Sequence, residues 1–460
     1  MYVQQLYTNC LAHAAYYIEC DKEAAIVDPL RDPKPYMELA TKRGARIKYI
    51  LETHFHADFV SGHIDLANET GATIVFGPDA VPEYRAYIAT DGETLKLGSA
   101  VLEVLHTPGH TIESTCFLLK AKNEHVGCLF SGDTLFVGDV GRPDLLSGNL
   151  PKEALAAMLY ESLQRKIKIL PNDTLVYPGH GAGSACGKNI GVSSFSTIGD
   201  ERARNYALLI TDKDEFIRAV TTGLPVAPVY FFKDAALNKK GAGVYKDVLQ
   251  RSLRPLSFTE FKGLQRPGTL ALDTRDAMEF AAGSITGSLN IGLNGDFAVW
   301  AGHFIPADAS ILLVADPGRE AEAIERLARI GFDNVVGYLF GGMHTWYSLG
   351  GEYQRIMTVT GEEMHELVLA GEYELLDVRN RLEVSKDHIP GATHIPLNEL
   401  KDRRETLDKD RKWLVYCAGG YRSMIAASFL LAVGCHFVAS LEGGINALRK
   451  IRPEIVEAGQ

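Results

Sequence analysis

No uncharged apolar run in this chain approaches the roughly 20 residues that a membrane-spanning helix needs. The first residues, Met1-Tyr2-Val3-Gln4-Gln5, have neither the basic patch nor the apolar core of a signal peptide. Positive charge is in deficit: 47 Lys and Arg against 58 Asp and Glu leave a net charge of -11. That balance argues against nucleic acid or an anionic membrane as the main partner. Cysteine is scarce, seven in 460 residues. An odd number scattered over so long a chain excludes a disulfide framework, and a cytoplasmic location is expected. Clustered arginines that would mark one anionic carrier are also missing. The length exceeds one ordinary core and suggests about three domains.

What is present begins with an apolar run, Ile47 to Leu51, that reads as a buried strand and delivers Thr53-His54-Phe55-His56-Ala57-Asp58-Phe59 into one loop. His110 in Thr107-Pro108-Gly109-His110, Asp133 in Ser131-Gly132-Asp133 and His180 in Pro178-Gly179-His180 each follow another strand-like run and a glycine. Glycine turns at strand ends can aim short side chains at one point, an arrangement suited to a metal ion.

The series His-x-His-x-Asp, Thr-Pro-Gly-His, Ser-Gly-Asp and Pro-Gly-His resembles the metallo-β-lactamase superfamily over roughly the first half of the chain. The chain departs from the hydrolytic members, such as glyoxalase II, directly after Asp58. They carry a second-metal histidine there, and this chain has Phe59. The resemblance to the persulfide dioxygenases of the superfamily implies one Fe(II) per chain on His54, His110 and Asp133. It makes His56, Asp58 and His180 hydrogen-bonding groups that orient those ligands. Two imidazoles and a carboxylate suit Fe(II) that must take substrate and oxygen together, and sequence leaves Zn(II) open. The family also implies a four-layer αββα sandwich, where composition alone indicates only an α/β fold.

Further along, Gly138-Asp139-Val140-Gly141-Arg142-Pro143-Asp144 is similar to a Gly-Arg-x-Asp element of those dioxygenases. Arg142 is either a substrate-facing cation or half of a loop-fixing ion pair with Asp144. Gly181 to Lys188 is built of small residues. There Lys188 offers charge to an anionic substrate, and Cys186 is either a sulfur-handling thiol or a small buried residue. Cys10, Cys20, Cys116, Cys128 and Cys435 are read as structural. Helices are expected over Pro35 to Arg43, Glu153 to Lys166 and Gly199 to Leu209. Lys233 to Pro255 reads as a loosely docked linker.

Beyond it the chain repeats with a period of about one hundred residues. Leu272-Asp273-Thr274-Arg275 recurs as Leu376-Asp377-Val378-Arg379, and Gly341-Gly342 as Gly443-Gly444. The second copy has Cys417-Ala418-Gly419-Gly420-Tyr421-Arg422-Ser423 between a buried strand and a helix read as Met424 to Ala432. Backbone N–H groups of such a loop, from Ala418, Gly419, Gly420, Tyr421 and Ser423, together with the helix dipole and Arg422, would stabilise a thiolate or a persulfide on Cys417. The first copy has Asp316-Pro317 there, which cannot carry sulfur; its expected role is architectural.

Both copies resemble rhodanese (sulfurtransferase) domains, with open parallel sheets. The expected fold class is therefore α/β: a metallo-β-lactamase αββα sandwich over 1–235, a linker over 236–255, an inactive rhodanese-like domain over 256–354 and an active one over 355–460. The resemblance implies oxidation of a low-molecular-weight thiol persulfide by O2 to sulfite and thiol, with Cys417 transferring sulfur to sulfite as thiosulfate. Glutathione, coenzyme A, bacillithiol and cysteine remain open as carriers, and a homo-oligomer, dimer or tetramer, is expected. Two alternatives stand beside this reading: a dinuclear zinc thioesterase of glyoxalase II type fused to a sulfurtransferase, and a non-enzymatic sulfur-relay protein.

Overall fold

Alternate residues of the N-terminal strands face two different apolar environments, and that alternation sets the architecture. In a computed structural model of the chain, residues 1–121, 126–145, 150–224 and 227–458 are described. They divide into two compact units, Met1–Asp247 with Ala328–Phe332, and Val248–Leu327 with Asp333–Gln460.

In the first unit β1 (Tyr2–Thr8), β2 (His13–Cys20), β3 (Glu23–Val27), β4 (Arg46–Leu51), β5 (Thr73–Phe76) and β6 (Tyr87–Ile88) form one sheet in chain order. The second sheet runs β12 to β7 in reverse order. Its strands are β7 (Thr94–Leu97), β8 (Ala100–His106), β9 (Thr115–Lys120), β10 (Val126–Gly132), β11 (Leu175–Pro178) and β12 (Ser196–Thr197). Ala14, Tyr16 and Ile18 of β2 join Leu102, Phe117 and Phe130 in the layer between the sheets. Ala15 and Tyr17 face outward, into the same cluster as Tyr36 of α1 (Lys34–Arg43) and Leu66 of α2 (His63–Thr70). Leu118 and Leu129 pack with Ala156 and Leu159 of α3 (Lys152–Ser162) on the opposite face. The layers are thus helix, sheet, sheet, helix, as the αββα expectation requires.

Two elements depart from the sequence reading. The helix expected over Gly199 to Leu209 is broken into Ile198–Arg204 and Tyr206–Leu209. Asn205 causes the break: its side-chain oxygen caps Ala207 N–H, and its amide donates to the carbonyls of Phe136 and Asp139. The stretch taken as a linker over 236–255 is mostly helix, the end of Tyr230–Lys240 and then Tyr245–Ser252. Tyr245 and Val248 are buried.

In the second unit the repeat becomes two sheets of five parallel strands with matching order. The first runs Pro255–Leu256, Val335–Leu339, Ser310–Val314, Thr269–Asp273, Leu289–Asn290. The second runs Met357–Val359, Phe437–Leu441, Lys412–Tyr416, Glu374–Asp377, Thr393–His394. The repeated Asp-x-Arg closes a buried ion pair at the same strand end in each copy. Arg275 Nη2 lies 2.6 Å from Asp273, and Arg379 Nη2 2.7 Å from Asp377. No helix among the described residues is long and apolar enough to cross a membrane.

Phe117, 0% exposed between the two sheets, is a direct test of that layer. Phe117→Ala should destabilise the first unit by about 3–5 kcal/mol, read as a lower denaturation midpoint by tryptophan-independent far-UV circular dichroism.

Candidate functional site

The chain leaves β4 at Leu51 and enters a loop in which Thr53 to Asp58 are all buried. His110, Asp133 and His180 follow β8, β10 and β11, so four strand ends meet at one edge of the sandwich. Glycine permits the approach: a Cβ at Gly179 would stand 2.7 Å from Asp133 Oδ1, and one at Gly141 would overlap the Asp133 carbonyl. His180 is further fixed where the two sheets touch, with Ala14 N–H donating to Gly179 O and Gly181 N–H to Ala12 O, each at 2.8 Å.

His54, His110 and Asp133 are brought together, their ligand atoms within 4.8 Å of one another. Hydrogen bonds behind them set the tautomers. His54 Nδ1 pairs with Thr53 Oγ1 at 2.9 Å, and that hydroxyl donates to Asp28 Oδ2 at 2.8 Å. Nδ1 of His54 therefore carries the proton, and Nε2 keeps its lone pair. His110 Nδ1 donates to the Arg142 carbonyl at 2.8 Å, with the same result. Asp133 Oδ1 accepts from His180 Nδ1 at 2.8 Å, while Oδ2 is buried with no hydrogen-bond partner. Two free imidazole nitrogens and one unpartnered carboxylate oxygen converge, a donor set that fits a divalent transition metal. Burial holds His54 well below the ordinary imidazole pKa, as a neutral ligand requires. Burial works against ionised Asp133, but His180, His54 and His110 outweigh it and hold the carboxyl well below its usual range.

His56 belongs to a different cluster. Its Nε2 lies 3.0 Å from Asp28 Oδ1 and 3.7 Å from Glu52 Oε2. Burial disfavours its charge, yet Asp28, Glu52 and Asp58 hold its pKa up at about 9. Phe59, fully buried, stacks on this ring with centroids 4.4 Å apart and also touches His13 at 4.3 Å. His180 uses both nitrogens, Nδ1 on Asp133 and Nε2 on Asp58 at 2.8 Å. Burial opposes charge there too, but the two carboxylates outweigh it and raise the imidazole well above its ordinary pKa. Cys186 is buried at this place, its sulfur within 4.8 Å of ligand atoms of Asp58 and His180. Burial, with Asp58 and Asp133 adding to it, pushes the thiol well above its usual range.

The other residues expected to meet substrate have protein partners. Arg142 forms the ion pair with Asp144, Nε to Oδ1 at 2.8 Å and Nη2 to Oδ2 at 2.7 Å, and its contribution to the centre is the carbonyl that orients His110. Lys188 does not offer its charge to the pocket: its ammonium donates to the Ala219 carbonyl at 2.8 Å on an exposed side.

Cys417 ends its strand 1% exposed. The loop around it is tighter than the expected ring of donors. Gly420 N–H donates to Sγ at 3.1 Å, and the Ser423 hydroxyl lies 3.7 Å from it, in turn receiving a bond from Ser440 at 3.0 Å. Gly420 has φ 97°, which a side chain would resist, and it is this turn that points the N–H at sulfur. No bond from Ala418, Gly419 or Tyr421 reaches Sγ among the described residues. Arg422 is gripped by Glu383 in a bidentate pair at 2.7 and 2.6 Å, and so does not touch the sulfur. The helix beginning at Gly444 closes the loop from behind, Ile445 N–H donating to the Cys417 carbonyl at 2.8 Å.

Three residues with parts in these sites were not identified from sequence. Asp28 carries no motif of its own; in sequence it is only the residue before Pro29 at the end of an apolar run. Glu383 has a signal, the Asn380-x-x-Glu383 capping box, which forms. Asn238 has none: it lies in the stretch taken as a linker, yet it is 2% exposed and pins the metal loop. Its amide donates to the carbonyls of His56 and Phe59, both at 2.7 Å, and its oxygen accepts from Ser61 N–H at 2.8 Å.

Comparison with known proteins agrees with both halves. The metallo-beta-lactamase superfamily profile matches residues 8–180, and the rhodanese-like domain profile matches 257–349 and 360–450. A probable hydroxyacylglutathione hydrolase of Schizosaccharomyces pombe is 30% identical over 44% of this chain and 84% of its own length. The mitochondrial persulfide dioxygenase ETHE1 of Homo sapiens is 31% identical over 43% of this chain and 70% of its own. A crystal structure of a metallo-beta-lactamase from Staphylococcus aureus subsp. aureus COL is 33% identical, with a TM-score of 0.66, covering 74% of this chain and 98% of that one.

Asn238→Ala leaves two carbonyls and an N–H of the metal loop unpaired. It should weaken metal retention about 10–100-fold, measured by dialysis against a graded chelator with metal analysis. Retention equal to the wild type would remove Asn238 from the site.

Proposed function

For a chain that belongs to the metallo-beta-lactamase superfamily and carries two rhodanese-like domains, we propose an Fe(II)-dependent oxidation of a low-molecular-weight thiol persulfide, coupled to sulfur transfer through Cys417. The observation that carries the reading is the convergence of His54, His110 and Asp133 without His56. The His56 ring lies beside His54, with centroids 4.2 Å apart, but its Nε2 is turned to Asp28 and its face is covered by Phe59. His54, His110 and Asp133 would hold the metal, a three-ligand set of the kind that leaves room for substrate and dioxygen. Held there, ferrous iron supplies the redox chemistry that joins a soft sulfur ligand to dioxygen.

The residues around it have definite tasks. His180, protonated between Asp58 and Asp133, keeps a positive charge in the buried centre and fixes the ligand carboxylate through Oδ1. Asp58 holds that imidazole from its other side. Phe59 fills the space where a further ligand would stand and keeps it dry. Cys186 presents a neutral, polarisable sulfur beside Asp58, on the wall against which a persulfide would lie. One persulfide, one dioxygen and one water give one thiol, one sulfite and two protons.

At the second site Cys417 takes the outer sulfur of another persulfide, releasing its thiol. The Cys417 persulfide then passes that sulfur to sulfite, giving thiosulfate and the free cysteine. The Gly420 N–H steadies the charged sulfur at each stage, and the Ser423 hydroxyl, donating to the Gly420 carbonyl at 3.0 Å, holds that turn in place. Joining the two activities in one chain consumes sulfite where it forms, a role in sulfide detoxification.

The hydroxyacylglutathione hydrolases among the relatives support a second reading, two-metal thioester hydrolysis. Metal analysis of anaerobically purified protein, with oxygen uptake on glutathione persulfide, separates the two. One iron per chain with uptake is expected; two zincs, no uptake and hydrolysis of a glutathione thioester would reject the dioxygenase. Cys417→Ser should leave oxygen uptake in place and change the product from thiosulfate to sulfite. Unaltered thiosulfate, with spontaneous coupling controlled for, would remove the relay.

A further inference from the structure

The first rhodanese-like copy has lost its sulfur-carrying residue, and the helix that follows the Cys417 loop packs against it. Asn290 N–H donates to Ser428 Oγ at 3.0 Å, and Phe304 meets Phe429 with ring centroids 5.1 Å apart. At the head of that helix Tyr421, directly after the Gly420 donor, reaches out of its own domain. Its hydroxyl donates to the Gly292 carbonyl at 2.8 Å, and its ring lies across Gly295. A Cβ on Gly295 would stand 2.4 Å from the ring carbon that bears the hydroxyl and 2.6 Å from both its neighbours. Neither Gly292 nor Gly295 has a positive φ. At Gly295 the lack of a side chain therefore serves space for the phenol ring rather than backbone conformation, while at Gly292 a Cβ would first meet the Arg275 carbonyl at 3.1 Å.

Comparison of the two copies sharpens the point. Ile291 and Leu293 donate to Asp273 and Thr274 as Ile395 and Leu397 donate to Asp377 and Val378. Gly292 thus occupies the place of Pro396 in the second copy, and the first copy departs from its twin where Tyr421 docks. The receiving loop is itself tied down. Arg326 donates to the Leu293 carbonyl at 2.6 Å, and Arg319 to Asn294 Oδ1 at 3.2 Å. Arg319 comes from Asp316-Pro317-Gly318-Arg319, the segment that matches the Cys417 loop. What is the sulfur loop in one copy anchors the platform in the other.

We propose that the Gly292–Gly295 loop of the first copy is a positioning platform for the Cys417 loop, with Tyr421 as the positioning residue that joins them. It holds the start of the 421–432 helix, and with it the Gly420 N–H, at the distance that supports a charged sulfur on Cys417. The inference rests on the reading of Cys417 as the sulfur carrier, and its test does not require turnover.

In the full-length protein, the pH dependence of iodoacetamide alkylation at Cys417, followed by peptide mass spectrometry, is compared for Gly295→Ala, Tyr421→Ala, their combination and Tyr421→Phe. Each single alanine variant should move the alkylation midpoint upward by roughly one pH unit and slow sulfur transfer to sulfite about tenfold. In the combined variant the added methyl meets no ring, so Gly295→Ala should then cost little more. Tyr421→Phe keeps the ring and loses only the bond to Gly292, and should give a smaller shift of the same sign. Oxygen uptake with persulfide monitors the other unit and should be unchanged throughout. Fully additive effects, or an unmoved midpoint in Tyr421→Ala and Tyr421→Phe, would overturn the platform. A wild type that alkylates normally but transfers no sulfur would instead count against the proposed activity.

Discussion

The Asp28 carboxylate acts on both histidines of the first motif, on His54 through hydrogen bonds to Thr53 and on His56 through charge. One oxygen takes the Thr53 N–H at 2.7 Å and draws His56 to 3.0 Å; the other takes the Thr53 hydroxyl that orients His54. The carboxylate is buried, and its residue has φ 49° ahead of Pro29. That left-handed conformation costs a non-glycine residue about 1–2 kcal/mol. Breaking such a buried contact by removing one partner costs about 3–5 kcal/mol, so the strain is easily held. Through this single group the His54 ring is oriented toward His110 and Asp133, and Nε2 of its neighbour His56 is turned the other way.

The neighbourhood of His180 follows the same logic of charge. Asp58 and Asp133 together would be a costly pair of buried anions. An imidazolium between them, bonded to each at 2.8 Å, neutralises part of that charge from within the chain. Phe59 lies beside this arrangement, its buried ring stacked on His56 and against His13.

Much of this was legible in the residue pattern, and the limits have physical causes. Local periodicity places His54, His110 and Asp133 at strand ends after apolar runs, and it was the resemblance to persulfide dioxygenases that singled them out as the ligand set. The two parallel sheets were visible because a whole domain repeats. For Arg142 the sequence leaves two roles open and the structure shows the ion pair with Asp144; Lys188 reads as an open cation, but partner choice depends on which carbonyl or carboxylate lies within about 3 Å, and spacing does not carry that. The thiol loop was over-supplied with donors for a similar reason: a glycine-rich stretch permits a ring of N–H groups, while φ at Gly420 selects one. Asn238 was out of reach altogether. Its partners are 182 and 179 residues away, and a lone asparagine amid lysines and glycines carries no periodic signal.

That separation in sequence has a consequence in time. A nascent chain synthesised as far as His180 already holds His54, His110 and Asp133, yet the clasp on their loop has still to be translated. Until the helix bearing Asn238 emerges and docks, the carbonyls of His56 and Phe59 face water. The loop is therefore latched only by a stretch of message well downstream of those codons, and a ribosome stalled between the two would display an unlatched pocket.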